Sequence, residues 1–300
     1  MNPTGEKFTC FPPPKRITKG SRLAVVAPAG PFDRNSFDRG VAWLPERYEI
    51  SYDESIFARK GYFAGHDDRR LAELMDAVND PEIDGILCAR GGFGTTRLLP
   101  GIDLEQIRSA NKMIVGFSDI TALHAAWTNS GVKSIHAPMV SALGNAPPDI
   151  RAAWIAALEC RKPGISQSLD PIVRGQARGR LFGGNLAVIC ALLGTPFAPS
   201  PDGIVLLIED VGERPYRIDR MLTSLRQAGW FDRIAGLVLG MFTEGKPGPD
   251  GVTLDEVFER NFESASFPVL RGLSSGHVPN NLPLTIGSAA RIENQLLETS

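Results

Sequence analysis

Residues 112–127 read KMIVGFSDITALHAAW, an apolar run, Met113 to Val115, that ends in Gly-Phe-Ser-Asp before helical spacing begins. A hydroxyl at a strand-to-helix corner is lifted clear of the sheet. The N–H of the next residue, Asp119, then lies at a helix N-terminus and can stabilise a developing oxyanion. Ser118 is therefore a candidate nucleophile. The competing reading is a helix cap with no chemistry. The G-x-S-x-G elbow of the α/β-hydrolases does not fit, because position 120 is Ile.

A serine nucleophile needs a base, usually His, and the base needs a carboxylate to orient it. The four histidines are His66, His124, His136 and His277. His66 sits in a polar loop. His124 is six residues past Ser118 on the following helix, with poor reach back to it. His136 and His277 fall near expected strand ends, and His277 lies in the loop SSGHVPNN. The carboxylates are Glu209 and Asp210, at the end of the very apolar GIVLLIED. A second glycine-rich corner is Arg90-Gly91-Gly92-Phe93-Gly94. It lacks the phosphate-binding spacings GxxxxGK[ST] and GxGxxG. A tight turn, or a cradle for a carboxylate or an oxyanion, remain as readings. Arg90 favours the cradle, since a guanidinium matches a carboxylate two-pronged.

The elements that must position these groups follow from periodicity. RLAVVAPAG, YEISYDES, IDGILCARGG and KMIVGFSD read as strands, and DRNSFDRGVAWLPE, DDRRLAELMDAVND and PDIRAAWIAALEC as helices, with Asp67 or Asp68 capping the second helix. Unbroken apolar strands alternating with amphipathic helices predict a parallel sheet covered on both faces. In such sheets ligands bind beyond the carboxyl ends of the strands, where both glycine-rich corners lie. Residues 1–20 predict an extended arm, 21–160 a Rossmann-like domain, 161–178 a crossing linker, and 179–300 a smaller α+β domain. In that last part Asn185 caps one helix. PYRIDRMLTSLRQAGWFD is the clearest helix of all, ending at Gly229.

The chain has 300 residues, a formal charge of −2 and 22% charged residues, the composition of a soluble globular protein. No basic tract suits nucleic acid, and no apolar stretch reaches the ~20 residues of a membrane helix. The N-terminus lacks a secretory h-region. The cysteines Cys10, Cys88, Cys160 and Cys190 show no CxxC spacing, and no HxH or HExxH pair suggests a metal. Free thiols without a signal point to the cytoplasm.

GFSDIT, RGGFG, LFGGNLAVICALLGTP, LIEDVGERPYRIDRMLTSL and SGHVPNNLPLTIG together resemble the LD-carboxypeptidase family, the S66 serine peptidases, across about residues 20–292. The resemblance implies a Rossmann-like N-terminal domain carrying the serine and a C-terminal domain supplying Glu and His. It implies a triad of Ser118, Glu209 and His277, with an oxyanion hole at Asp119 and Gly92. The implied activity is hydrolysis of an L,D-peptide bond in a cell-wall (muramoyl) tetrapeptide, through an acyl-enzyme, with no metal or cofactor, by a homodimer. Arg90 and Gly91 are candidates for substrate binding. Phe117 and Phe93 stand where Tyr is common in the family. Two alternatives are a self-immunity hydrolase of a peptide–nucleotide antibiotic in the same family, and a non-catalytic binder of a small anion.

Overall fold

In the computed structural model, residues 10–161 and 164–300 are described. The first sheet is built from β1 (Arg22–Val26), β2 (Glu49–Ser51), β3 (Gly85–Cys88), β4 (Met113–Gly116) and β5 (Ser134–His136). Its order is β2-β1-β3-β4-β5, all parallel, the doubly wound arrangement expected. Alternate residues serve opposite faces. Ala24, Val26, Ile86, Cys88 and Ile114 pack in one cluster, while Leu23, Val25, Leu87, Met113 and Val115 pack in the other. Helices α1 (Arg34–Ala42), α5 (Val140–Leu143) and α6 (Pro148–Leu158) cover the second face. The first face takes α2 (Asp67–Asn79), α3 (Leu104–Ala110) and α4 (Thr121–Asn129). At the start of α2 the cap position falls to His66, without a side-chain bond. Asp67, expected as a cap, instead pairs with Arg70 and Arg97.

Residues 161–178 differ from the expected linker. Residues 162 and 163 lie outside the described residues, but β6 (Ser166–Ser168), β7 (Asp170–Val173) and the start of β8 (Gln176–Asn185) all belong to the second sheet. β6 and β7 are its two edge strands and bury little, so they lack an apolar signature. The expected arm, whose residues 1–9 also lie outside the described residues, is packed where it is seen: Ile17 is buried against Leu23 and Gly85.

The second sheet joins β8 to β9 (Ile204–Val211), β10 (Gly236–Thr243) and β11 (Val269–Arg271) in parallel, and adds β13 (Ala289–Glu293) and β14 (Leu296–Thr299) antiparallel. The second sheet has eight strands and the first six, and β6 and β7 of the second come from the residues expected as linker. Helices α7 (Leu186–Leu192), α8 (Pro215–Gln227) and α9 (Leu254–Phe262) accompany it. The two halves are tied in two places. β12 (Leu284–Ile286), from the second half, pairs antiparallel with β5 of the first sheet. One apolar cluster also runs from α4 through α7 into Leu206 and Ile208 of β9. The site therefore rests on a shared core.

Candidate active site

Three loops meet beyond the carboxyl ends of the strands. The loop after β1 is braced from α2. Arg69 donates to the carbonyls of Ala27 (3.2 Å) and Ala64 (2.6 Å), and Glu73 accepts from Ala27 N–H at 2.7 Å. Arg70, fully buried, donates to the carbonyl of Pro28 and pairs with Asp67. Gly30 N–H then bonds Gly91 O at 3.0 Å, fixing the loop after β3 against the first.

The corner after β4 is a strained elbow. Phe117 is extended, and Ser118 sits at φ +63°, a left-handed conformation. For a non-glycine residue this costs about 1–2 kcal/mol. Such strain persists only where the surroundings impose it, and it gathers at functional sites. A plain helix cap needs no such backbone. A 3₁₀ turn, residues 118–120, carries the chain into α4. Gly91 lies so close that a Cβ on it would come within 3.1 Å of Ser118 Cβ and 3.3 Å of Oγ. Asp119 is buried and ties the elbow to the glycine loop, because its Oδ2 accepts from Thr95 N–H at 2.9 Å and its carbonyl accepts from the Thr95 hydroxyl at 2.6 Å. Burial pushes its carboxyl pKa up, against those hydrogen bonds.

Of the four histidines, His277 alone reaches Ser118. Its Nε2 lies 3.1 Å from Ser118 Oγ, and its Nδ1 lies 2.9 Å from Glu209 Oε2. With Nδ1–H donating to the carboxylate, Nε2 is left to accept the serine proton. Glu209 is fully buried near the end of β9, and His277 is 21% exposed, so the relay runs from the interior to the cleft. Burial raises the pKa of Glu209, and the hydrogen bond from His277 opposes that rise. Gly276 makes the approach possible. It sits at φ +121°, and a Cβ there would lie 2.6 Å from Glu209 Oε2. Its N–H donates to Asn281 Oδ1 at 3.0 Å.

The other histidines have other places. His124 is fully buried, bonded to Gly116 O (3.0 Å) and Ser134 Oγ (2.8 Å), and joins α4, β4 and β5 behind the elbow. Burial lowers its pKa to about 4, so it is neutral, with Nε2–H donating to the carbonyl and Nδ1 accepting. His136 is also fully buried, at the end of β5, and burial keeps it neutral. His66 is exposed. Asp210, the second carboxylate of the pair, is occupied in structure. It accepts from Ala187 N–H (2.9 Å), Asn185 Nδ2 (3.1 Å) and Val211 N–H (2.8 Å), linking β9 to the start of α7.

A pocket of about 320 Å³ opens beside Ser118, with Gly92, Asp119, Thr96, Val188 and Asp210 among its walls. Phe93, 45% exposed, stands at its edge beside Tyr62 and Phe63. Phe117 packs on the His277 ring, with centroids 4.9 Å apart. Arg90 lies elsewhere. Its guanidinium donates to the carbonyl of Pro31 in an exposed position, and it is not part of this pocket's wall. Sequence reasoning passed over Thr95, Asn281 and Arg70. Polar residues whose partners are far along the chain leave no periodic signal; the polar run VPNN beside His277 was the nearest hint.

Models of the LD-carboxypeptidase N-terminal and C-terminal domains match residues 23–137 and 178–292. The chain belongs to the LD-carboxypeptidase family. It is 37% identical over 287 residues to a probable murein peptide carboxypeptidase of Bacillus subtilis, covering 92% of this chain and 90% of the relative. The crystal structure of a muramoyltetrapeptide carboxypeptidase from Oxalobacter formigenes superposes with a TM-score of 0.84 at 28% identity, over 93% of this chain and 98% of that one. A microcin C7 self-immunity protein superposes with a TM-score of 0.87 at 21% identity, over 96% and 99% of the chains, a likeness of fold alone. The protein is thus an enzyme, a carboxypeptidase of the serine-type family. Among the described residues no helix is long and apolar enough to cross a membrane.

Proposed function

We propose that this enzyme hydrolyses an L,D-peptide bond to release the terminal D-amino acid of a cell-wall (muramoyl) tetrapeptide. The observation that carries the reading is the hydrogen-bonded relay from Ser118 Oγ through His277 to the buried Glu209, at 3.1 and 2.9 Å. His277 takes the Ser118 proton as the hydroxyl attacks the scissile carbonyl. Glu209 holds the imidazole and balances its positive charge. The backbone N–H groups of Asp119 and Gly92, both in the pocket wall beside Ser118, receive the oxyanion. Collapse breaks the C–N bond, and the proton on His277 passes to the departing amine. Water then attacks the acyl-enzyme, giving its proton to His277, which passes it to Ser118 Oγ as the acyl C–O bond breaks and the free acid departs. The names of the relatives support the substrate class, and the left-handed backbone of Ser118 supports its use as nucleophile.

The same reading places the reaction in the cytoplasm, in a homodimer. The free cysteines Cys10, Cys88, Cys160 and Cys190 are compatible with a reducing compartment. Mass spectrometry of the products from a synthetic tetrapeptide ending in D-Ala tests the activity. Release of D-Ala by the wild type and its loss in Ser118→Ala are expected. Cleavage of an acyl-sulfamoyl adenylate in place of the tetrapeptide would move the assignment to the antibiotic-immunity branch. A fluorophosphonate that leaves Ser118 unlabelled would point to a binding protein.

A further inference from the structure

A second pocket, of about 290 Å³, is walled by residues that neighbour Ser118 and His277 in the chain. Phe117, which precedes Ser118, and Val278, which follows His277, are both in its wall, with Pro138, Ala142, Asn145 and Asn281. On the peptidase reading above, we infer that this pocket is the subsite for the departing residue, a small D-amino acid with an uncharged side chain and a free carboxylate.

Three observations converge on it. The first is the direction of proton transfer. The leaving nitrogen must lie against the imidazole that protonates it. The residue attached to that nitrogen then occupies the space bordered by the neighbours of His277. The first pocket holds Gly92 and Asp119 and so takes the carbonyl oxygen and the acyl chain. The second is chemical character. The wall of the second pocket holds apolar side chains and two amides and no ionisable group, whereas Asp119 and Asp210 line the first. A long charged side chain finds no partner in the second pocket, and a methyl group fits it.

The third is Asn281. It is 2% exposed, and its Oδ1 already accepts from Gly276 N–H, which settles the orientation of the amide. Its Nδ2 has no acceptor among the described residues. Buried donors are nearly always paired, and this one, closed to solvent in the unliganded fold, gains its acceptor when the pocket wall shifts to admit a ligand oxygen. A terminal carboxylate supplies it, without Arg90, which is held on Pro31.

The experiment compares two tetrapeptides that differ only in the last residue, D-Ala or D-Phe, by their ratio of kcat/KM. Ala142→Trp narrows the pocket and Val278→Ala widens it; Ala142 is exposed on α5, so the larger side chain does not invade a core. Ala142→Trp is expected to raise the preference for D-Ala at least fivefold, and Val278→Ala to lower it by a similar factor. A ratio unchanged within twofold in both variants overturns the subsite and leaves the peptidase reading standing. A wild-type enzyme that cuts neither peptide overturns both.

Discussion

His277 Nε2 lies 3.1 Å from Ser118 Oγ, although 159 residues separate the two in the chain. Ser118 stands at the end of β4 in the first sheet. The ring that meets it comes from the loop after β11 in the second, and Glu209 orients that ring from β9. The contact exists only because the carboxyl ends of the parallel strands of both sheets face one cleft.

The relay predicts a hierarchy of losses. Ser118→Ala and His277→Ala should each lower kcat on a tetrapeptide ending in D-Ala by roughly 10⁴-fold or more. Glu209→Gln keeps the shape but not the charge, and should cost on the order of 10³–10⁴-fold. On the proposed mechanism the three act as a unit, so the double variant Ser118→Ala/His277→Ala should be little worse than either single one. Losses that multiply would contradict a shared step. Released D-Ala, measured under saturating substrate, is the readout.

Gly276→Ala should damage the same relay without replacing any of its three members. The new Cβ would fall 2.6 Å from Glu209 Oε2, at a backbone φ of +121°. The strain costs on the order of 1–3 kcal/mol, and the carboxylate must move from Nδ1. Slower fluorophosphonate labelling of Ser118 together with a lower melting temperature is expected. Wild-type labelling kinetics would show that the imidazole does not need this geometry.

Arg70 should prove a structural cation. It is fully buried, donates to the carbonyl of Pro28 and pairs with Asp67, while its guanidinium lies 4.9 Å from the Phe63 ring centroid. Arg70→Met fills the space but strands the carbonyl. A loss of about 2–4 kcal/mol is expected in urea denaturation, in the range seen when buried polar networks lose one partner. Asp67 keeps Arg97, which limits the damage.

His124 predicts an acid-side weakening of the fold. Its pKa is lowered to about 4 by burial, against an ordinary value of 6.5. Below 6.5 the unfolded chain takes up a proton that the folded protein refuses, so this group's share of stability is whole above that pH and drains away as pH falls toward 4. The share amounts to about 3 kcal/mol. The raised pKa values of the buried Asp119 and Asp210 act in the opposite sense, so the wild type alone does not isolate it. The difference in urea midpoint between wild type and His124→Gln should shrink from pH 7 to pH 4.5, and a constant difference would show that His124 titrates normally.

The first sheet was legible because β1, β3, β4 and β5 are buried on both faces. Runs such as Ile86 to Cys88 and Met113 to Val115 have no polar alternation, and between them α2 has clear helical spacing. The edge strands β6 and β7 were not legible. Their residues are half in water, so the same stretch reads as linker until its partners are known. β12 falls within residues 179–300, expected as the second domain, yet it completes the first sheet, because pairing depends on where the chain travels and not on its local pattern.

Residue types and motif order alone were enough to nominate Ser118, Glu209 and His277 and to predict a parallel sheet with its ligands beyond the strand ends. Backbone chemistry acts locally, and a strand-to-helix corner can be read from a dozen residues. Only the folded chain decided that His277, and not His124 or His136, faces the hydroxyl, that Arg90 turns to Pro31, and that Asn281 borders a second pocket. Those outcomes depend on distances between segments far apart in sequence, set by the packing of one sheet against another, and no local pattern encodes them.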